Sequence, residues 1–376
     1  MRQGVWVQNL SGDMAYRSFC PSSLPPDLHI DSELTQLLGE ARGCLSELDA
    51  VTQLIPSADL FITMYVRKEA LISSQIEGTQ CTLDDILDPM VAEHANEDVA
   101  DVVNYVHALQ YAIQHLRELP LCNRLLREVH AELMHGVRGQ EKNPGEFRRS
   151  QNWIGAANCG LKDARYIPPN VEDMEVSMRE FEKYINEDES YDPLIRTSLI
   201  HYQFETIHPF LDGNGRIGRM LIILYIMQQK LLSKPVLYVS YYLKKNQLEY
   251  YDRMAEIRKN GNYEQWVKFF LRSISEAARD SVNMAYQLSA LHDQHLSMIN
   301  KDKRSVYDLA LLLGYIEQHP IMDIQHVSDA LSMTYNKTSR LVKKMIDMGI
   351  LTETTNKQRN RVFAYHKYLD VLRKDT

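Results

Sequence analysis

Residues 208–219 read HPFLDGNGRIGR. This polar, glycine-rich loop sits between two apolar-rich segments with helical spacing, 193–207 and 216–232, so packed structure holds it at both ends. Gly213 and Gly215 flank Asn214 just before the second segment. Glycine lets the backbone turn its N–H groups toward a ligand, and a helix start adds partial positive charge, which together make a nest for phosphate oxygens. Arg216 and Arg219, three apart at the start of that helix, are placed to face one anion. Asp212 is a hard oxygen ligand beside the nest, suited to a magnesium ion shared with phosphates. His208, at the loop entrance, is the residue type that takes a proton from a hydroxyl near neutral pH. Each feature alone has a bland reading, as a structural histidine, a common G-x-G or a solvated arginine pair. Their occurrence in this order in one loop points to phosphate chemistry.

The rest of the chain sets the frame. Its 376 residues suggest two or three domains, and 44% hydrophobic with 24% charged residues is the composition of a chain with a real core. The net charge of −8 argues against a protein that coats nucleic acid. That charge is uneven: from Lys303 onward there are 12 Lys+Arg against 8 Asp+Glu, leaving an acidic body and a mildly basic C-terminal module. Cys20, Cys44, Cys81, Cys122 and Cys159 are scattered and form no C-x-x-C pair, which fits a reducing compartment and no structural zinc. The N-terminus lacks the pattern of a signal peptide, and the longest apolar run, 220–227, is far short of the about 20 residues a membrane span needs. A cytoplasmic protein is the expectation.

Helical spacing dominates: 31–54, 58–77 with Gly78 as a stop, 99–119, 122–137, 171–186, 193–207, 216–232 and 247–290. The first 30 residues, with Pro21, Pro25 and Pro26, read as irregular. Two short β-prone runs, 151–155 and 165–168, flank the turn-rich AANCGLKD, and Pro168-Pro169 ends them.

The loop 208–219 resembles the signature of the Fic family, HPFx(D/E)GN(G/K)RxxR, at every specified position. The resemblance implies that His208 is the general base, Asp212 binds magnesium, Gly213, Asn214 and Gly215 form the anion hole, and Arg216 and Arg219 hold the triphosphate of ATP. Pro209 and Phe210 would anchor the loop, Phe210 as a core residue. NPGEFRRSQNWIG (143–155) with ARYIPP (164–169) looks like the family's flap, in which Ala164, Arg165 and Tyr166 would align a target peptide as an added strand. NQLEYYDRM, with Tyr250 and Tyr251, resembles the segment that lines the adenine pocket, although aromatic residues at helical spacing are more often core. Residues 24–60 resemble the helical domain found ahead of Fic cores. Within KEALISSQIEGTQ (68–80), Ser73, Glu77 and Gly78 match the inhibitory motif (S/T)xxxE(G/N). A carboxylate at the end of a helix opposes the helix dipole; Arg219 is its candidate partner, so Glu77 would reach the nucleotide site and inhibit in cis. Gly78 is equally a plain helix stop.

From Lys303 the chain reads helix, helix, helix and hairpin. A basic third helix carries Lys337, Arg340, Lys343 and Lys344, and 350–355 and 361–365 flank NKQRN. This resembles a winged helix-turn-helix, which serves either DNA or protein docking and dimerisation; a charge of +4 is modest for DNA.

The expectation is therefore a mainly α protein. It would have a helical N-terminal domain with the inhibitory helix (1–98), a Fic core with a β-hairpin flap (99–275), a linker helix (276–302) and a winged helix-turn-helix (303–376). The implied activity is transfer of AMP from ATP, with Mg2+, to a Tyr, Thr or Ser hydroxyl of a target protein or of itself, by a homodimer with no membrane attachment. Three readings stand beside it: removal of AMP or another nucleotidyl transfer; γ-phosphate transfer, which Gly213, Gly215 and Arg216 disfavour; and a nucleotide-sensing transcription regulator, which the intact His208 disfavours.

Overall fold

The structure, a computed structural model, describes residues 2–54, 58–88, 97–136, 140–156, 159–355 and 361–374. Its first element corrects the sequence reading. The N-terminus is an antiparallel hairpin, β1 (Gly4–Asn9) and β2 (Tyr16–Pro21), in register from Gly4↔Pro21 to Asn9↔Tyr16. Only one face is covered: Phe19 is fully buried with Trp6 edge-on against it at 5.2 Å, while Val5 and Trp6 remain exposed. An edge hairpin so lightly buried carries little alternation, and Pro21 falls at the strand end, where a missing N–H costs nothing.

Helices follow: α1 (Ser32–Leu54), α2 (Ala58–Ile76), α3 (Leu83–Leu87), α4 (Glu97–His115), α5 (Asn123–Leu133), α6 (Val171–Glu187), α7 (Pro193–Ile207), α8 (Asn214–Gln228), α9 (Val239–Lys245), α10 (Gln247–Asn260) and α11 (Tyr263–Ile299). Val137, expected to end one of them, lies outside the described residues. Two helices are buried on every side and so occupy the centre: every residue from Leu194 to Ile207 in α7, and from Asn214 to Ile226 in α8, is buried. Asp192 caps α7 and Pro193 occupies its first turn, where no N–H is needed. The run 247–290 is broken at Gly261 (φ 71), which separates α10 from α11. From there α11 continues as one helix through 275–276 to Ile299.

The remaining elements are α12 (Val306–Gln318), β3 (Ile321–Asp323), α13 (Ile324–Ala330), α14 (Tyr335–Asp347), β4 (Thr352–Glu353), β5 (Val362–Ala364) and α15 (His366–Arg373), with an antiparallel sheet in the order β3-β5-β4. The expected strand pair is present as β4 and β5; its turn, 356–360, lies outside the described residues. The third strand, β3, is too short for its pattern to register in the sequence.

This C-terminal unit folds back onto α2. Lys68 is buried, donates from Nζ to the Lys374 carbonyl at 2.7 Å and sits 4.9 Å from the centre of the Tyr238 ring. Arg373 grips Asp84 of α3 through two bonds, 2.9 and 2.6 Å. A hydrogen bond from a charged group contributes about 1.5–3 kcal/mol. Lys68→Ala is therefore expected to lower stability by about that amount and to speed hydrogen exchange across His366–Arg373. Unchanged protection of that helix would contradict the assignment.

Candidate active site

The loop between α7 and α8 opens into a cleft of about 640 Å³, lined by His208, Asp212, Gly213, Asn214, Gly215, Arg219, Glu77, Tyr250, Tyr251, Arg165 and Tyr166 among others. A larger groove of about 860 Å³, walled by Ile62, Val66, Val106 and Met227, contains none of the expected site residues.

His208 terminates α7 in the left-handed conformation (φ 52), a place usually taken by glycine or asparagine. Its carbonyl is held there by Arg148 Nε (3.0 Å) and Asn152 Nδ2 (3.1 Å), and the Pro209 carbonyl by the Arg148 N–H (2.8 Å). Arg148 is buried and also donates to the carbonyls of Pro169 and Ser150 (2.5 and 3.3 Å). His208 Nδ1 lies 3.3 Å from the Glu205 carbonyl. A carbonyl only accepts, so Nδ1 carries the hydrogen and Nε2 keeps its lone pair. Burial pushes the imidazolium down to about 4, against the opposing pull of Glu77. The ring is thus a neutral base at physiological pH.

Gly213 (φ 73) turns the chain into α8, and Asn214 pins the loop by accepting from the Phe210 N–H and donating to the Phe210 carbonyl, both 2.8 Å. Phe210 is fully buried, as expected, and stacks on His130 at 3.8 Å. His130 accepts the Gly145 N–H at Nδ1 (2.9 Å), which leaves Nε2–H to donate to the Asp212 carbonyl (3.1 Å). The Asp212 carboxylate accepts the Gly213 N–H (2.7 Å) and pairs with Lys142 Nζ (2.7 Å). Burial pushes its carboxyl up, but Lys142, Gly213 and Arg216 outweigh that and hold it below the usual range. An ionised carboxylate next to a phosphate nest fits magnesium, which keeps most of its shell for water and phosphate and takes one or two protein carboxylates.

The two arginines do not face one anion. Arg219 is buried and points to the cleft wall, where its Nε donates to Ser73 Oγ (2.8 Å) and its Nη2 to the Ser73 carbonyl (2.9 Å) and Glu77 Oε1 (2.6 Å). Burial works against its charge, and Glu77, Tyr250 and Glu205 more than restore it. Arg216 corrects the expectation: it turns into the interior, 3.4 Å from Asp101 of α4 and 3.5 Å from Met134 Sδ, away from the cleft. Helical spacing of three gives neighbouring positions about 60° apart, enough for one to reach the cleft while the other enters the α4–α5 interface. Glu77 itself lies just past the last residue of α2, and Gly78 has φ 100, the left-handed stop expected of it.

Tyr250 is buried, and its hydroxyl meets His201 Nε2 at 2.9 Å, while His201 Nδ1 meets the Gly218 carbonyl at 2.8 Å. Since that carbonyl fixes Nδ1 as donor, the Tyr250 hydroxyl donates to Nε2, and Tyr250 offers the cleft its ring. Tyr251 is half-buried, with the Arg165 guanidinium 5.8 Å above it.

The expected flap hairpin is reduced to one antiparallel bridge, Ile154↔Tyr166, with bonds of 2.8 and 3.0 Å. Pro168 and Pro169 supply no N–H donors, and the Ile167 carbonyl accepts from Phe19 of β2 instead (3.0 Å). Part of the intervening loop, 157–158, lies outside the described residues. Arg165 is exposed on the cleft wall, Ala164 is not part of the wall, and Tyr166 turns inward to donate to the Thr206 carbonyl (2.6 Å). Trp153 and Ile154 are the exposed apolar residues of this edge.

Sequence reasoning missed His130, Lys142, Arg148, Asn152, His201 and Glu205. GEFRRSQN was singled out as flap, yet Arg148 and Asn152 act as braces for the loop; the other four carry no local signal. One measurement follows. NMR of the His208 ring is expected to report the neutral Nδ1–H tautomer at pH 7, with a midpoint well below the about 6.5 of a free histidine. A midpoint above 6.5 would contradict the geometry.

Residues 35–114 match the Fic/DOC family N-terminal model and residues 120–226 the Fic/DOC family model. The chain is similar to a protein adenylyltransferase Fic of Culex quinquefasciatus, 27% identical over 256 residues that cover 64% of this chain and 46% of that one. It is also similar to one of Drosophila virilis, 25% identical over 205 residues, 54% and 38% of the two chains. The chain thus spans less than half the length of these relatives. Among solved structures, a Fic family protein from Desulfovibrio desulfuricans G20 shares the fold at a TM-score of 0.58 and 19% identity, over 91% of this chain and 98% of that one. A Fic domain containing signaling protein from Bacteroides thetaiotaomicron VPI-5482 does so at 0.51 and 16%, over 69% and 97%. With both domain matches in sequence order and HPFLDGNGRIGR joining its two central helices, the chain belongs to the Fic/DOC family.

Proposed function

We propose that this protein is an adenylyltransferase that moves AMP from ATP to a hydroxyl side chain of a protein and is held inactive by Glu77. The observation that carries the reading is a neutral His208, its Nε2 unprotonated, in the same cleft as a glycine nest at a helix start. The target hydroxyl gives its proton to Nε2 as its oxygen bonds to the α-phosphorus, and the bond to the bridging oxygen breaks to release pyrophosphate. The N–H groups of Gly213, Asn214 and Gly215 meet the charge on the phosphate, and Arg219 the charge beyond it; such transfer is mainly positioning and charge stabilisation. Asp212 would hold magnesium in exchange for Lys142; the ion, when bound, neutralises phosphate charge. The exposed Ile154 edge and Arg165 are the surface for an extended target segment.

The inhibition follows from charge. Arg219 has Ser73 and Glu77 as partners, so a phosphate must displace Glu77 to reach it, against the repulsion of the same carboxylate. Glu77 also stands in the cleft with His208, which supports a second reading in which the pair activates water to remove AMP from a modified target.

Four further parts belong to this proposal. The boundaries at 98, 275 and 302 mark its functional units. It acts as a dimer in the cytoplasm, in keeping with its free cysteines and with no described helix long and apolar enough to cross a membrane. The C-terminal unit is a winged helix-turn-helix. It serves protein docking rather than DNA, because Lys337 is bonded to Asp308 within it and Lys344 to Asp302 at its boundary.

Labelling with α-labelled ATP and magnesium tests the reading. Glu77→Gly is expected to label itself at least about 100-fold faster than wild type, since a misplacement of about 1 Å costs that much. His208→Ala in the Glu77→Gly background is expected to lose about 10²–10⁴-fold. Arg219→Ala should stay as silent as wild type. Label arriving from γ-labelled ATP would point to phosphate transfer, and a Glu77→Gly protein no faster than wild type would remove Glu77 as inhibitor.

A further inference from the structure

Glu205 stands one turn before His208 on α7 and is 9% exposed. Its Oε1 is shut off from solvent and has no hydrogen-bond partner among the described residues. It lies against the backbone of α8, so close that a Cβ built on Gly218 would come within 2.1 Å of it. The residue nevertheless lines the nucleotide cleft. The charged and titratable groups that face it are Arg219 of α8, Glu77 beyond α2, Arg258, Tyr250 and Tyr251 of α10, and His208 at the end of its own helix. Their bonds go elsewhere: Arg219 to Ser73 and Glu77, the Tyr250 hydroxyl to His201, and Arg258 lies over the Tyr166 ring at 4.1 Å.

A buried carboxyl without a partner is costly, and native proteins keep such groups mainly where a ligand or a reaction uses them. We propose that Glu205 is a further nucleotide-binding residue, which engages the bound ligand as a neutral carboxyl that donates its proton to a ligand oxygen. This deepens the nucleotide reading of the cleft and rests on it. An ionised Glu205 would add a second negative charge beside Glu77 and repel a polyphosphate. The neutral acid offers the one thing phosphate oxygens accept, a proton on the carboxyl oxygen other than the shut-off Oε1. Burial pushes the carboxyl up to about 7, with Arg219 pulling it down and Glu77 adding to the rise. Above that pH the free protein holds Glu205 ionised, and nucleotide binding draws a proton from the buffer onto it. Gly218 is the complementary feature, since any side chain there would occupy the position of the carboxyl.

The test is calorimetric titration of the full chain with magnesium ADP, which lacks the pyrophosphate leaving group, at pH 8 in two buffers of different ionisation heat. Wild type is expected to take up most of one proton per ADP and to lose affinity about five- to tenfold between pH 7.5 and 8.5. Glu205→Gln keeps the shape and a donor. It is expected to bind with a flat pH profile and without proton uptake. Infrared difference spectra at pH 8 supply a second readout: ADP should bring up a protonated-carboxyl band in wild type that Glu205→Gln lacks. Binding without proton uptake, or uptake and a carboxyl band that persist in Glu205→Gln, overturns this inference alone. No ADP binding by any variant overturns the nucleotide reading and this inference with it.

Discussion

The buried charge of Arg219 is the constraint on which the site depends. A guanidinium at 1% exposure is tolerable only with partners, and all three of its bonds come from one short stretch, Ser73 and Glu77. Glu77 keeps 40% of its side chain exposed, so the pair is buried on the arginine side only and its loss costs less than that of a fully buried pair. The stretch from Ser73 to Glu77 therefore supplies the partners and the counter-charge of Arg219. A phosphate is the natural replacement: it brings the same charge to the same donors. Ser73 holds Nε and shares Nη2, so Glu77 is not the only group that orients Arg219.

Around this arginine the fold builds a rigid frame from main-chain groups. Arg148 and Asn152 hold the carbonyls of His208, Pro209 and Phe210, while His130 supports Asp212 from below and Asn214 closes the loop on itself. The strained left-handed His208 persists because these bonds over-determine it. The result fixes the His208 tautomer, the glycine turn and the placement of Asp212 within the folded chain, the preorganisation on which the proposed transfer depends.

Much of this was legible in the order of residues. The loop 208–219 and its two flanking helices followed from local pattern, since glycine placement and helix ends are short-range signals, whereas the pairing of Glu77 with Arg219, 142 residues apart, came from the family resemblance. Arg216 was misread because spacing alone does not say which side of a buried helix meets the interior; Asp101, more than a hundred residues earlier, decides it. The N-terminal hairpin escaped notice because one of its faces is nearly bare. The flap shrank to a single bridge because two prolines and β2 compete for its second arm. His130, His201 and Glu205 were invisible for a common reason: each is a helical polar residue with no local motif around it, and only tertiary contacts show what it holds.

The account rests on the claim that a phosphate and Glu77 compete for Arg219. Crystals of wild type and of Glu77→Gly, each soaked with ATP and magnesium, test it most directly. The account predicts a phosphate on the Arg219 guanidinium only in Glu77→Gly, with the α-phosphate in the glycine nest facing His208 Nε2. In wild type it predicts Glu77 still on Arg219 and the phosphates displaced. The same phosphate pose in both crystals would contradict it.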